Sequence, residues 1–332
     1  MAYTTIDDPT AYFQCKLFTG NASSNAITFD GNTNMQPDFV WVKSRSQAYG
    51  HMLYDSVSGV GKYLSAESNA AENANAPDTL TAFGSNGFTL DDQDNANYTN
   101  GGTGVAWNWK ESADAGFDIV TYTGNQTART ISHNLGAVPK MMIVKTRSTT
   151  GNWGVYHVGL GTANKRLELD SSAAADTGTS VWNDTDPTSS VFSVGNNDRI
   201  TNGNGMTYVA YLFAEKQGYS KFGSYTGNGN ADGTFVYTGF KPAWFMMKNT
   251  ASGNNWHMMD NKRDSDNVVE QLLKANASDA ENTTSGKMDF LSNGVKIRST
   301  STGANGSGAT YIYMAFAENP FVTSTGVPAT AR

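Results

Sequence analysis

The chain has one cysteine, Cys15, in 332 residues. An intramolecular disulfide is therefore excluded, and stability has to come from buried cores. A free cysteine usually behaves as a small buried hydrophobe, so Cys15 is expected inside a first strand rather than as a nucleophile. Charged residues make up only 16 %, and the net charge is −7 with the cations scattered. Neither nucleic acid nor an anionic membrane surface is favoured as a partner by such a balance. No apolar run approaches the ~18–20 residues of a membrane helix, so membrane insertion is not expected. The opening "MAYTTIDDPTAYF" has neither the basic start nor the apolar centre of a secretory leader. GxSxG, HExxH, CxxC and paired-carboxylate motifs are missing. No catalytic, cofactor-binding or metal-binding residue is assigned on these grounds, and the chain is not read as an enzyme.

What is plentiful is glycine, asparagine, serine and threonine, the composition of a β protein with many turns. It is also repetitive. "FTGN", "YTGN" and "YTGN" begin at 18, 122 and 225, with Gly20, Gly124 and Gly227 spaced 104 and 103 residues apart. "QPDFVWVKSR" (36–45) matches "VPKMMIVKTR" (138–147) and "KPAWFMMKNT" (241–250). "SNGFTL" (85–90), "SSVFSV" (189–194) and "SNGVKI" (292–297) follow in register, and "GVAWNWKE", "YVAYLFAE" and "YIYMAFAE" end the units at Glu111, Glu215 and Glu318. Four blocks in one order and one spacing define three copies of a unit of about a hundred residues, long enough for a small domain with its own core.

Within a unit the apolar residues alternate. Val105, Trp107 and Trp109 point one way and Ala106 and Asn108 the other, which predicts a half-buried strand. In the first unit, strands are expected near 15–19, 26–30, 39–45, 50–55, 62–66, 80–84, 87–91 and 104–110. The fold class that follows is all-β: three tandem homologous β-sandwich, jelly-roll-like domains at 1–112, 113–217 and 218–332, the first with a short N-terminal segment and the last with a C-terminal tail. The stretches 66–76 and 267–282 read as loop with no more than a short helix. Short joints, "ESADAGFD" (111–118) and "EKQGYSKF" (215–222), predict a compact or rod-like array rather than flexible beads.

Candidate functional residues are few. Asp55, His157 and Asp260 share a register, as do His51, Trp153 and Trp256. Acid–base work or metal binding from the first row needs the units to pack around a common axis; a polar strand end is the plainer reading. The acidic runs "LDDQDNAN" (90–97) and "DNKRDSDN" (260–267) do not follow an EF-hand pattern and read as solvated turns. "YTGNGNADG" (225–233) lacks the lysine and helix of a phosphate loop. The TGN glycines are expected to mark an early hairpin in which positive φ is cheap. Trp182, in the polar stretch "SVWNDTDP", is the one aromatic that could stack on a sugar or anchor an interface, although local loop packing is the favoured reading. The loops 66–80, 171–188 and 261–287 diverge while the strands stay in step, so recognition is expected there.

The blocks "DDPTAYFQCKLFTGN", "QPDFVWVKSR", "VAWNWKE", "GYSKFGSYTGNGNADGTF" and "YMAFAENPFVTSTGVPATAR" resemble a family of structural proteins from tailed phages of marine bacteria. The resemblance covers nearly the whole chain. It implies a virion protein in a tail fibre or attached adhesin, with other virion proteins and a host-surface glycan or protein as partners, and a homotrimer by analogy with fibres. It implies no site residues. Capsid decoration or a tail connector is the first alternative, with "MAYTTIDDPT" docking on a shell or tail protein. A polysaccharide-degrading tailspike is the second.

Overall fold

Residues 2–98, 101–197, 199–283 and 286–329 are described by a computed structural model. Its first segment holds β1 (Phe13–Thr19), β2 (Asn25–Thr28), β3 (Phe39–Ser44), β4 (Met52–Asp55), β5 (Leu80–Gly84), β6 (Gly87–Leu90) and β7 (Thr103–Trp109). The second holds β8 (Phe117–Thr123), β9 (Arg129–Ser132), β10 (Pro139–Thr146), β11 (Gly154–His157), β12 (Lys165–Glu168), β13 (Asp176–Thr177), β14 (Val191–Val194) and β15 (Thr207–Ala214). The third holds β16 (Ser220–Thr226), β17 (Phe235–Tyr237), β18 (Phe240–Asn249), β19 (His257–Asp260), β20 (Leu273–Lys274), β21 (Met288–Leu291), β22 (Gly294–Ile297) and β23 (Thr310–Pro320). The fold is all-β, as composition and alternation indicate.

Each segment builds one larger antiparallel sheet in which its first and last strands are neighbours. The orders are β1-β7-β3-β4, β8-β15-β10-β11 and β16-β23-β18-β19, lengthened by β12 and β13 in the second and by β20 in the third. A smaller sheet lies over each: β2-β6-β5, β14-β9 and β17-β22-β21. Register is the same throughout, with Phe39, Met141 and Trp244 facing Trp109, Phe213 and Phe316 across the ladder.

The inner strands of the large sheets are buried on both faces, where alternation predicted one, while the first strand of each is partly exposed. All six residues of β3 and all ten of β18 are buried. Val40 and Val42 pack with the small sheet of their own segment. Phe39 and Trp41 point the other way, into a core drawn from all three segments. Six of the seven tryptophans lie in that shared core. At its centre Trp109, Phe213 and Phe316, one from each segment, form a triangle with ring centroids 5.6, 6.1 and 6.3 Å apart. The segments therefore surround a common axis, and beside the three local cores a fourth is local to none of them. Polar atoms on these strands need internal partners. Asn108 meets half of this need: its Nδ2 donates to the carbonyls of Gln14 and Ala106, while its Oδ1 has no partner.

Other expectations are revised. FTGN carries the chain from β1 in the large sheet to β2 in the small one, so it is a crossover and not a hairpin. Gly20, Gly124 and Gly227 do not have positive φ. They are glycine because a Cβ would fall 2.2–2.4 Å from the carbonyl oxygen of Tyr98, Gly203 and Gly306. The stretch 62–66 makes only isolated bridges, Leu53 with Leu64 and Tyr63 with Asn73, where its counterparts form β12 and β20. Short helices α1 (Asp94–Asn97) and α2 (Thr179–Trp182) form instead of any at 66–76 or 267–282. The opening residues stay on the body: Tyr3 and Thr4 donate to the carbonyls of Gly239 and Gln217, and Ile6 enters the shared core.

Candidate functional site

The rows of like residues lie at the joints between segments, and they close a ring. Lys43, Lys145 and Lys248 stand two positions after Trp41, Ile143 and Met246 on the strand face that lines the shared core. Each ammonium donates to the next carbonyl in its own strand and to a carbonyl of a neighbouring segment: Lys43 to Ser278, Lys145 to Asn69 and Lys248 to Ser172, at 3.1–3.3 Å. Burial pulls all three lysines down to about 8. The same handedness holds in the next row. His51 Nε2 meets the carbonyls of Lys274 and Ala277. Trp153 Nε1 donates to those of Ser65 and Ser68, and Trp256 Nε1 to that of Glu168.

The row Asp55, His157 and Asp260 runs the opposite way around the axis. Tyr211 donates to Asp55 at 2.8 Å, Trp107 Nε1 to Asp260 at 3.0 Å, and His157 Nε2 meets the Tyr313 carbonyl at 3.0 Å. Although the segments share an axis, these three groups do not converge; each tethers one neighbour. Asp260 also takes a 2.5 Å bond from the buried Arg263. Burial alone pushes that carboxyl up, but the Arg263 guanidinium and the hydrogen bonds hold it below its ordinary value. Arg45 and Arg147 grip Glu281 and Glu72 through both nitrogen–oxygen bonds of a fork, at 2.8–3.0 Å. In register with Arg147 and Glu72, the third and second segments carry Thr250 and Ala175, joined only through their backbones at 2.8 Å.

Repetition revealed these rows but not their partners. Most partners of the lysine, His51 and arginine rows sit in the loops 66–80, 171–188 and 261–287, whose unequal lengths hide their register, whereas those of Asp55, His157 and Asp260 lie on the last strand of each segment. Those loops were expected to serve recognition; part of each is an internal joint. For Trp182 the interface candidacy is overturned and the packing reading stands. It is 1 % exposed, packed on α2 against Tyr156 beneath the small sheet, and presents no face to a ligand. Cys15 is buried, and burial pushes its thiol well up. Within the acidic stretches, Tyr49 donates to Asp94, and Asp264 accepts the amides of Glu270 and Gln271. Among the described residues no three metal-ligating side chains come together.

Where the large sheets meet beyond the aromatic triangle, each joint carries the unit-ending glutamate with different company. At the first–second joint Glu111 faces Asp118; burial and that carboxylate raise it to about 7. Asp38 is beside it, accepting from Glu111 N and Ser56 Oγ at 2.8 and 3.0 Å. At the second–third joint Glu215 pairs with Lys221 at 2.7 Å. At the third–first joint Glu318 pairs with Lys241 at 3.2 Å and takes a 2.7 Å bond from Asn261 Nδ2. Here a cleft of about 230 Å³ opens, with Asp30, Asn32, Lys262 and Asn319 at its exposed rim and Phe13, Cys15, Ala243 and Ala317 among its buried lining.

No curated protein matches the chain. One family model does, and it spans residues 8–320. It thus takes in all three segments as one unit, as the shared core does. The chain belongs to the family described as Domain of unknown function (DUF7483).

Proposed function

We propose that the chain is a virion structural protein of a tailed phage, acting non-catalytically in a tail fibre or receptor-binding component that attaches to a host-surface glycan or protein. The observation that carries this reading is how its polar residues are used. Rows that could have served chemistry are consumed in tying segments together, while the outer parts of the divergent loops, around 73–75, 183–186 and 265–268, remain exposed. A rigid frame presenting variable loops is the usual design of a recognition module. The sequence resemblance supplies the virion setting and other virion proteins as partners. One chain already surrounds a threefold-like axis; a homotrimer of such chains is the assembly expected from fibres.

Imaging of the intact particle, with the chain fitted into its density, tests the reading. Copies at the distal end of a tail appendage support attachment. Copies spread over the shell or buried at the tail junction overturn it in favour of a decoration or connector. Shortening of host capsule polymer on incubation with the purified chain would contradict the non-enzymatic part.

A further inference from the structure

The cleft at the third–first joint contains an unmet hydrogen-bonding need. Asn261 is 7 % exposed. Its amide nitrogen donates to Glu318, which as a carboxylate can only accept, so the amide orientation is fixed. Its Oδ1 is left buried with no partner. Asn261 lines the open cleft, so a donor from outside the chain can meet this acceptor there. The corresponding place at the first–second joint needs none. In register with Ala243 and Asn261 stand Asp38 and Ser56, and Ser56 Oγ donates to Asp38 at 3.0 Å.

We infer that this cleft binds one sugar residue of a neutral, polyhydroxylated ligand. Both carboxylates there are already neutralised, Asp30 by Lys16 and Lys262 and Glu318 by Lys241, at 3.1–3.3 Å. All five charged groups are engaged in these pairs; their sum of +1 disfavours a cation, and no ammonium is left unpaired to anchor an anion. What remains is an amide oxygen next to carboxylate oxygens, acceptors suited to adjacent hydroxyls, above a lining of Phe13, Ala243 and Ala317 that can cover a C–H face. A volume of about 230 Å³ is below the roughly 300–1,000 Å³ of pockets for drug-sized ligands and fits a single ring.

This inference deepens the attachment reading and, as biology, rests on it; its test does not. The purified full chain is titrated with free glucose, galactose, mannose and N-acetylglucosamine, followed by saturation-transfer NMR and calorimetry. At least one is expected to bind at millimolar concentration. Asn261→Leu, which keeps volume but removes the amide, and Ala243→Asp, which restores the carboxylate of the first segment, are each expected to weaken binding at least tenfold. Lys262→Ala lies on the exposed rim and reports on the cleft without disturbing a core; it too is expected to weaken binding. Absence of binding by all four sugars overturns the inference, as does binding that none of the folded variants alters. A particle with the chain at its tail tip but a sugar-blind cleft removes this site and leaves the attachment reading standing.

Discussion

At the scale of single residues, burial holds all four histidines below their ordinary value, His51 to about 3 and His157 and His257 to about 4. His157 shows why. Its Nδ1 accepts the Gly159 amide at 2.9 Å while Nε2 must donate to the Tyr313 carbonyl. Protonation would set one N–H against another. Because the folded value is below the unfolded ~6.5, this stabilisation is complete above that pH and is lost as pH falls toward 4. Glu111 at about 7 and Asp170 at about 6 are raised and work in the opposite sense, gaining as pH falls through those values. Asparagine can still accept from Gly159, so His157→Asn should fold. It is expected to remove about 2 kcal/mol of the stability lost between pH 7 and 4.5. Urea titrations at both pH values measure this; an unchanged difference contradicts it. Trp182 calls for a stability assay rather than a binding assay. Trp182→Ala is expected to cost about 3–5 kcal/mol, as for other buried tryptophans. A variant as stable as the parent would show that the ring is not packed as described.

At the scale of strands and joints, the crossover glycines are positions of close approach. Gly124→Ala places a methyl carbon 2.2 Å from the Gly203 oxygen, so the crossover must move. A loss of about 1–3 kcal/mol is expected, comparable to overpacking. No loss would mean the contact is loose. The incomplete ring of ion pairs offers a gain. Introducing Ala175→Glu with Thr250→Arg should add a coupling of about 0.2–1 kcal/mol in a double-mutant cycle, the usual value for a partly exposed pair. Zero coupling would mean that the third joint does not share the geometry of the other two. Strands were the legible part of the sequence, because alternation and turn residues are local signals. Val105, Trp107 and Trp109 announced a face; they did not announce that the opposite face, with Ala106, was covered as well. The joints were half legible. Lys43 and Arg45 appear in repeated blocks, whereas Ser278 and Glu281 are more than two hundred residues away in an unrepeated loop. The cleft was not legible at all. Ala243 lines it in the register of Asp38, and residues 10–32, more than two hundred positions away, form its other wall.

For the whole molecule, the consequence is cooperativity. Three tandem domains with separate cores would unfold one by one. Here most tryptophans belong to a core no segment owns, and the third segment returns to the first through Trp107 with Asp260 and Arg45 with Glu281. Removing one segment would expose that core in the other two. Scanning calorimetry of the intact chain tests this most directly. A single transition is expected, with calorimetric and van't Hoff enthalpies that agree, near roughly 230 kcal/mol at 60 °C for a chain of this length. Three resolved transitions of about a third of that enthalpy each would contradict the shared core and return the molecule to a string of independent domains.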